Sequence, residues 1–397
     1  MFCSKLPTVN QVRLISEHCI RNRLTLTSLL SGNQRNFFGS SHEIENKVYE
    51  NKEKLIANFS LIEKCVKETF DYEILAETYD EVLGSMNYIS TGGKMWRPCS
   101  LICTYKLLEK PENITEENLK LAYIYAWCTE IIHGLGALID NIQRTALMRR
   151  NKKSFIFLPE ITENVMSYAQ TIDFLANDII IRYFGAHPSQ EILLDNIARG
   201  KFRCYSGLVY EPLFVDYSTK RAFFSTFTME NYLKVIKYKY GYYGIRVPIE
   251  GGMALANQHD PQKIENSATV LDQLGVAYNM KDDFNDLLVN TTQKEITDDM
   301  DNYITQSKFT WFAVKTLELG NADQKRVWQQ HYGIKKQESI LKVLSVYQEL
   351  RLEQLFQEEK DRQIKFLKEE IPKIRNGVPE NVLYSLAEGL LEVKLRN

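Results

Sequence analysis

From Glu43 to the C-terminus, apolar residues recur at steps of three and four, and that period predicts helix after helix. The expected helices span about 43–70, 73–88, 94–109, 115–145, 161–184, 189–215, 228–256, 262–288, 301–319, 322–331, 335–353, 357–371 and 378–395. Helix breakers fall between them, at Pro111, Pro159, Pro188, Pro261, Pro372 and Pro379. Most connections are short, so successive helices should pack antiparallel as one all-α bundle. No fixed-period repeat and no low-complexity linker divides it, which makes residues 43–397 a single domain.

Two of these helices carry polar residues where a packing stripe should be apolar. In the run Leu271 to Leu288, the positions Leu271, Gly275, Tyr278, Asp282 and Asp286 share a face, with Leu274 beside it and Asp283 flanking the acids. An apolar stripe faces an interior, so its continuation into carboxylates points those acids into a cavity. Such a cluster repels itself unless cations neutralise it, and hard oxygen ligands suit Mg²⁺ shared with a phosphate. Solvated acids at a helix end are the bland alternative. In the run Leu121 to Arg150, Ala126, Glu130, His133, Ala137, Asp140 and Arg144 share one line, and Arg149 and Arg150 follow it. Taken alone, His133 reads as a hydrogen-bonded structural histidine. Asp140 and Arg144 stand in the order that favours an acid–base pair one turn apart.

Two further stretches suit anions. Gly92-Gly93-Lys94-Met95-Trp96-Arg97 sets a glycine pair before a helix start, with two cations a turn apart. Ile236 to Tyr243 interleaves lysines with tyrosines, including Lys239, Tyr240 and Tyr243. Snorkelling lysines on a packed helix explain that pattern as well as phosphate binding or cation–π stabilisation does.

Composition narrows the function. The chain of 397 residues is 44% hydrophobic and 25% charged with a net charge of −2, and it has no long basic block for nucleic acid. No apolar run approaches the roughly 20 residues of a membrane span. Its 7 cysteines form neither a CxxC pair nor a zinc pattern, as expected of reduced thiols inside a cell. Residues 1–42 differ from the rest, with Lys5, Arg13, Arg21, Arg23 and Arg35 against the single acid Glu17. That segment is either a mitochondrial transit peptide, processed near Arg35 to Ser40, or a non-cleaved disordered arm. The expected location is accordingly cytoplasmic or mitochondrial.

The order of motifs, GGKMWRP, AWCTEIIHGLGALIDNIQRTALMRR, IKYKYGYYGIRVP, GVAYNMKDDFNDL and SKFTW, resembles the trans-isoprenyl diphosphate synthases, most closely the farnesyl diphosphate synthases. The resemblance runs from about residue 48 to the C-terminus. It implies an isoprenoid-synthase-type helical bundle around a central cavity, usually a homodimer, with two aspartate-rich motifs that bind Mg²⁺ and an allylic diphosphate. It assigns Asp282, Asp283 and Asp286 to an intact second motif, and Lys94 with Arg97 to the isopentenyl diphosphate. Arg149, Arg150, Lys239 and Lys308 match further basic positions that stabilise the departing pyrophosphate.

The first motif departs from the pattern. It reads Asp140-Asn141-Ile142-Gln143-Arg144, with one acid kept, one turned to an amide and the last reversed in charge. His133 and Tyr240 replace other residues of the pattern, and the position that limits product length is Leu135-Gly136. Losing ligands on one wall should harm a two-substrate transfer more than ionisation of one bound substrate. The pattern therefore resembles the insect terpene synthases derived from farnesyl diphosphate synthase. It implies a Mg²⁺-dependent terpene synthase acting on farnesyl rather than geranyl diphosphate, a lyase in reaction class. Asp140 would assist with metal, Arg144 would hold the leaving group, and Tyr210, Tyr240, Tyr243 and Tyr278 would line the pocket. The alternatives are a chain-elongating prenyl transferase making geranyl or farnesyl diphosphate, and a catalytically dead regulatory subunit.

Overall fold

A computed structural model describes residues 48–70, 72–150, 152–158, 161, 164–216, 221–292 and 302–395. The transit-peptide-like segment 1–42 lies outside the described residues. The chain is all-α: α1 (Lys52–Ala57), α2 (Phe59–Thr69), α3 (Tyr72–Ser90), α4 (Trp96–Leu108) and α5 (Glu116–Arg144) come first. A hairpin of β1 (Met148–Arg149) and β2 (Lys152–Lys153) leads to α6 (Val165–Tyr183) and α7 (Gln190–Tyr210). A second hairpin, β3 (Val215–Asp216) with β4 (Arg221–Ala222), precedes α8 (Met229–Val235). A π-helical segment, Ile236–Arg246, continues directly into α9 (Val247–Leu255), and α10 (Pro261–Asn266) and the long α11 (Ala268–Thr292) follow. The chain ends with α12 (Trp311–Leu319), α13 (Ala322–His331), α14 (Gln337–Glu349), α15 (Leu352–Glu370) and α16 (Glu380–Leu391).

Some of the helices start where a side chain caps them. Thr115 accepts from the Asn118 backbone N–H at 3.2 Å to open α5, Thr228 does the same for α8, and Asn321 with Gln324 forms a capping box on α13. Long helices were legible in the sequence, and the breaks inside them were not. The expected helix 43–70 divides at Asn58, and 262–288 divides at Ser267. The first half of the expected helix 301–319 is a turn, 302–310, because Thr310 caps a new helix start at Ala313 N–H. The stretch expected as one helix over 228–256 contains a π segment, whose wider turns recur at functional sites.

Among the described residues two large apolar cores hold the bundle, beside a small third cluster at Leu138, Phe155 and Ile161. One gathers α2, α4, α5, α6, α9 and α16 with Leu271 and Leu274 of α11. The other gathers α8 and α12–α15 with Met280 and Phe284 of α11. Helix α11 therefore belongs to both, which fixes its rotation and leaves its acidic face between them. Fixing that rotation takes a close approach. A Cβ on Gly275 would meet the Gly241 Cα at 3.1 Å, so two glycines let α11 lie against the π segment. By length and composition α5 could cross a membrane, but 83% of its most apolar window is buried among neighbours. Its low charge reflects a central helix.

Candidate active site

The cores enclose a cavity of about 540 Å³. Its lining brings together Lys94, Arg97, His133, Asp140, Arg144, Arg149, Arg150, Tyr240, Tyr278, Asp282, Asp286 and Lys308, all expected from the sequence. Both predicted stripes face it: Gly275, Tyr278, Asp282 and Asp286 from α11, and Glu130, His133, Asp140 and Arg144 from α5. The hairpin after α5 adds Arg149 and Arg150, and the loop before α4 adds Gly92 to Met95. Lys94 precedes α4 rather than standing on it, since the helix starts at Trp96 after Met95 at φ +59°.

The cationic side is built by wedging. Arg150 donates to the Ile89 and Thr91 carbonyls at 3.0 and 2.9 Å and to Glu130 Oε1 at 2.9 Å. A Cβ on Gly93 would meet that guanidinium at 2.8 Å, so a larger residue there would push Arg150 out of these bonds. Arg150 thus ties the loop before α4 to α5, and burial lowers its pKa despite Glu130. Arg97 lies over the Trp96 ring at 4.7 Å, and its Nε is buried without a protein partner. With Lys94 and Arg149 on the same cavity lining, Arg97 is a fit for a diphosphate oxygen. Burial, then Arg97, Arg149 and Arg150, hold the His133 pKa well below its ordinary value. His133 is therefore a neutral imidazole at pH 7, able to hydrogen-bond without adding charge.

The acidic side differs among its three carboxylates. Asp282 receives Lys94 Nζ at 3.3 Å and the Tyr303 hydroxyl at 3.1 Å. Burial opposes its ionisation, but Lys308, Lys94 and Tyr303 outweigh it and the pKa falls below the usual range. Asp286 accepts the Tyr303 backbone N–H at 3.2 Å, and burial pushes its pKa up to about 7 despite Lys308. Asp283 does not line the cavity. It is buried on the other side of α11, accepting Tyr232 Oη at 2.9 Å, the Trp311 N–H at 3.0 Å and Lys308 Nζ at 3.4 Å. One residue of helix turns a side chain by about 100°, so adjacent aspartates serve different faces.

Among the described residues, no three His, Cys, Asp or Glu side chains converge to hold a metal ion by themselves. Asp282 and Asp286 nonetheless fit Mg²⁺. They are one turn apart on the cavity face, and Asp286 carries a burial cost that a cation would relieve. Two carboxylates with substrate oxygens and water are a usual Mg²⁺ donor set. Asp140 does not fit. Its Oδ1 accepts Arg144 Nε at 2.8 Å and Lys239 Nζ at 2.6 Å, and Arg144 and Lys239 both also bond Glu211. Against the cost of burial, Arg144 and Lys239 hold the Asp140 pKa far below the carboxylate range.

Several expected site residues lie elsewhere. Tyr243 is buried and donates to the Thr129 carbonyl at 2.9 Å, and Tyr210 packs edge-on against Phe214 in the second core. Leu135 is a core residue, about 200° around α5 from His133. Gly136 faces α7, where its Cβ would lie 3.5 Å from Cys204 Sγ. Lys239 is turned from the cavity lining into the pairs with Asp140 and Glu211. Tyr240 does line the cavity, with Lys239 and Lys308 at 5.1 and 5.9 Å from its ring centre. Glu211 and Tyr303 were not found from sequence. Glu211 carried one faint signal, Gly207 one turn earlier, where a Cβ would strike the Lys239 backbone at 2.5 Å.

The sequence matches the model of the polyprenyl synthetase family over residues 80–350. Among curated proteins it is similar to a geranyl diphosphate synthase of Ips pini, 28% identical over 88% of this chain and 86% of that one. It is also similar to a farnesyl pyrophosphate synthase of Murgantia histrionica, 24% identical over 77% and 73% of the two chains. Among solved structures, a farnesyl diphosphate synthase of T. brucei superposes with a TM-score of 0.76 at 19% identity, covering 86% of this chain and 98% of that one.

Proposed function

The chain belongs to the polyprenyl synthetase family, and we propose that it transfers an allylic group from an isoprenoid diphosphate to isopentenyl diphosphate. The products would be geranyl or farnesyl diphosphate, the compounds its relatives at 28% and 24% identity are named for. Those names support this reading over the single-substrate one that the altered first motif suggests. The observation that carries it is the pairing, in one cavity, of a cationic cradle at Arg97 and Arg149 with an acidic wall at Asp282 and Asp286, Lys94 reaching across to Asp282. Two chemically different ends suit two diphosphates held differently.

On this reading Asp282 and Asp286 hold Mg²⁺, which when bound draws charge from the departing pyrophosphate. Lys308 stands within reach of both the metal wall and Tyr240, and adds a fixed positive charge as the carbon–oxygen bond breaks. Arg97 and Lys94 hold the second diphosphate so that its alkene faces the allylic carbon. His133, kept uncharged beside Arg97, Arg149 and Arg150, adds no further positive charge against the developing cation.

One observation favours a second reading, a terpene synthase that ionises farnesyl diphosphate alone. Asp140, the acid left in the first motif, is engaged by Arg144 and Lys239. A single assay separates the readings: purified protein with Mg²⁺ and dimethylallyl, geranyl or farnesyl diphosphate, with and without isopentenyl diphosphate. Longer diphosphates formed only with both substrates support the transferase. Hydrocarbon or terpene alcohol from farnesyl diphosphate alone supports the synthase, and no turnover points to a non-catalytic subunit. We also expect a homodimer, supported by exposed Phe174 and Ile181 on α6 and Phe202 and Val209 on α7, one stripe on each of two packed helices. Sedimentation at micromolar concentration tests it.

A further inference from the structure

The far side of the cavity from α11 holds a cluster that the proposed reaction does not use. Arg144 Nε donates to Asp140 Oδ1 at 2.8 Å, and its Nη2 donates to both Glu211 oxygens at 3.1 and 3.0 Å. Lys239 Nζ donates to Asp140 Oδ1 at 2.6 Å and also to Glu211 Oε2. Glu211, Arg144 and Lys239 are buried, at 0%, 3% and 5% exposure. Two cations and two anions close a ring with no net charge. We infer that Asp140, Arg144, Lys239 and Glu211 form a metal-free wall, which keeps divalent cations off α5 and leaves α11 to take up every cation the enzyme binds.

Three observations support it. A dication on the outer oxygen of Asp140 would face a guanidinium and an ammonium already bonded to the inner one. Those cations cannot withdraw, because doing so would strand Glu211 as an uncompensated buried charge. Beside Asp140 no second carboxylate replaces the lost acids: Asn141 lines the cavity only as an uncharged amide, and Gln143, which donates to the Leu208 carbonyl of α7 at 3.1 Å, is not part of the cavity lining. The ring is also held from behind, since Gly207 lets α7 press against the Lys239 backbone and so delivers Glu211.

The inference rests on the diphosphate reading for its ligand, so the test separates the two. Mn²⁺ serves as the probe, with inorganic pyrophosphate, and bound ions are counted by electron paramagnetic resonance on the full chain. Asp140→Asn should leave the number of bound Mn²⁺ ions unchanged and their dissociation constants within about twofold, while Asp282→Asn loses an ion or weakens binding at least about tenfold. Loss of an ion in folded Asp140→Asn overturns the metal-free wall and leaves the diphosphate reading standing. Failure of wild-type protein to bind any Mn²⁺ overturns both. Should Asp140→Asn not fold, Arg144→Gln decides: an added ion supports the inference, and an unchanged count overturns it.

Discussion

The two acidic walls of the cavity use the same residue types to opposite ends. On α11, Asp282 and Asp286 face open space with Lys94, Lys308 and Tyr303 around them, and burial leaves Asp286 hard to ionise. On α5, Asp140 is satisfied within the protein, and its cations are satisfied in turn by Glu211. One wall has an electrostatic demand that a ligand can meet, and the other has none left. Counting aspartates therefore does not locate a metal site. A wall suits a cation where some carboxylate charge on it is still uncompensated, as it is at Asp286 and is not at Asp140 or Glu211.

The largest expected effect breaks the closed wall. Glu211→Ala removes the shared acceptor of Arg144 and Lys239 and leaves a buried excess of positive charge. Breaking a buried pair in this way costs about 3–5 kcal/mol. Thermal or denaturant unfolding should show that loss, whereas wild-type stability would mean that water reaches the ring. Asp282→Ala should behave in reverse, with near-normal stability and circular dichroism. Its turnover should fall roughly 100-fold or more, beyond the 10–100-fold loss seen for outer-shell partners of a metal. Full turnover in this variant would remove α11 as the metal wall. Asp283→Ala belongs with Glu211, since it strips Tyr232, Trp311 and Lys308 of their acceptor and should cost stability before catalysis.

The contrast between Asp282 and Asp283 shows what the sequence could and could not say. Helical period places Asp282 and Asp286 on one face with Tyr278, and that face proved to be the cavity. Period alone cannot say that Asp283, next in line, is claimed by Tyr232 on α8 and Trp311 on α12, because those partners lie 51 and 28 residues away. The Asp140–Arg144 pair was legible as neighbours one turn apart, and Glu211 was not, at 67 residues from Arg144. The turn 302–310 was hidden by apolar residues that continue the helical rhythm. With it went Tyr303, whose hydroxyl and backbone N–H serve both cavity acids.

Tyr303 offers a finer test of the open wall. Tyr303→Phe removes one hydrogen bond to Asp282 and keeps the ring, over which Lys308 Nζ sits at 3.3 Å, and the backbone bond to Asp286. As an outer-shell partner of the metal wall, the hydroxyl should be worth about 10- to 30-fold in Mg²⁺ affinity. Turnover measured against Mg²⁺ concentration checks this, with maximal turnover changed less than the half-saturating concentration. An unchanged Mg²⁺ dependence would show that Asp282 is oriented by its helix alone.

The smallest effect is a dependence on pH that the two walls should not share. An unfolded aspartate titrates near about 3.9, while burial in the fold raises Asp286 to about 7. A raised acid gives stability that is fully present below the unfolded value and is lost as pH rises through the folded one. Asp140 and Glu211 are depressed, chiefly by Arg144 and Lys239 acting against burial, so their contribution is present above the unfolded values and is lost only in acid. Between pH 6 and 8 the closed wall is therefore flat and the open wall is not. At pH 8 Asp286 is mostly ionised and ready for a cation, whereas at pH 6 Mg²⁺ must first displace a proton. The apparent Mg²⁺ dissociation constant should rise by up to roughly tenfold from pH 8 to pH 6, and the Mg²⁺-induced gain in melting temperature should shrink accordingly. Asp286→Asn should abolish that pH dependence, and Asp140→Asn should preserve it. A Mg²⁺ response that is equal at both pH values in wild-type protein would mean that Asp286 stays ionised, and that the open wall is already balanced by Lys308.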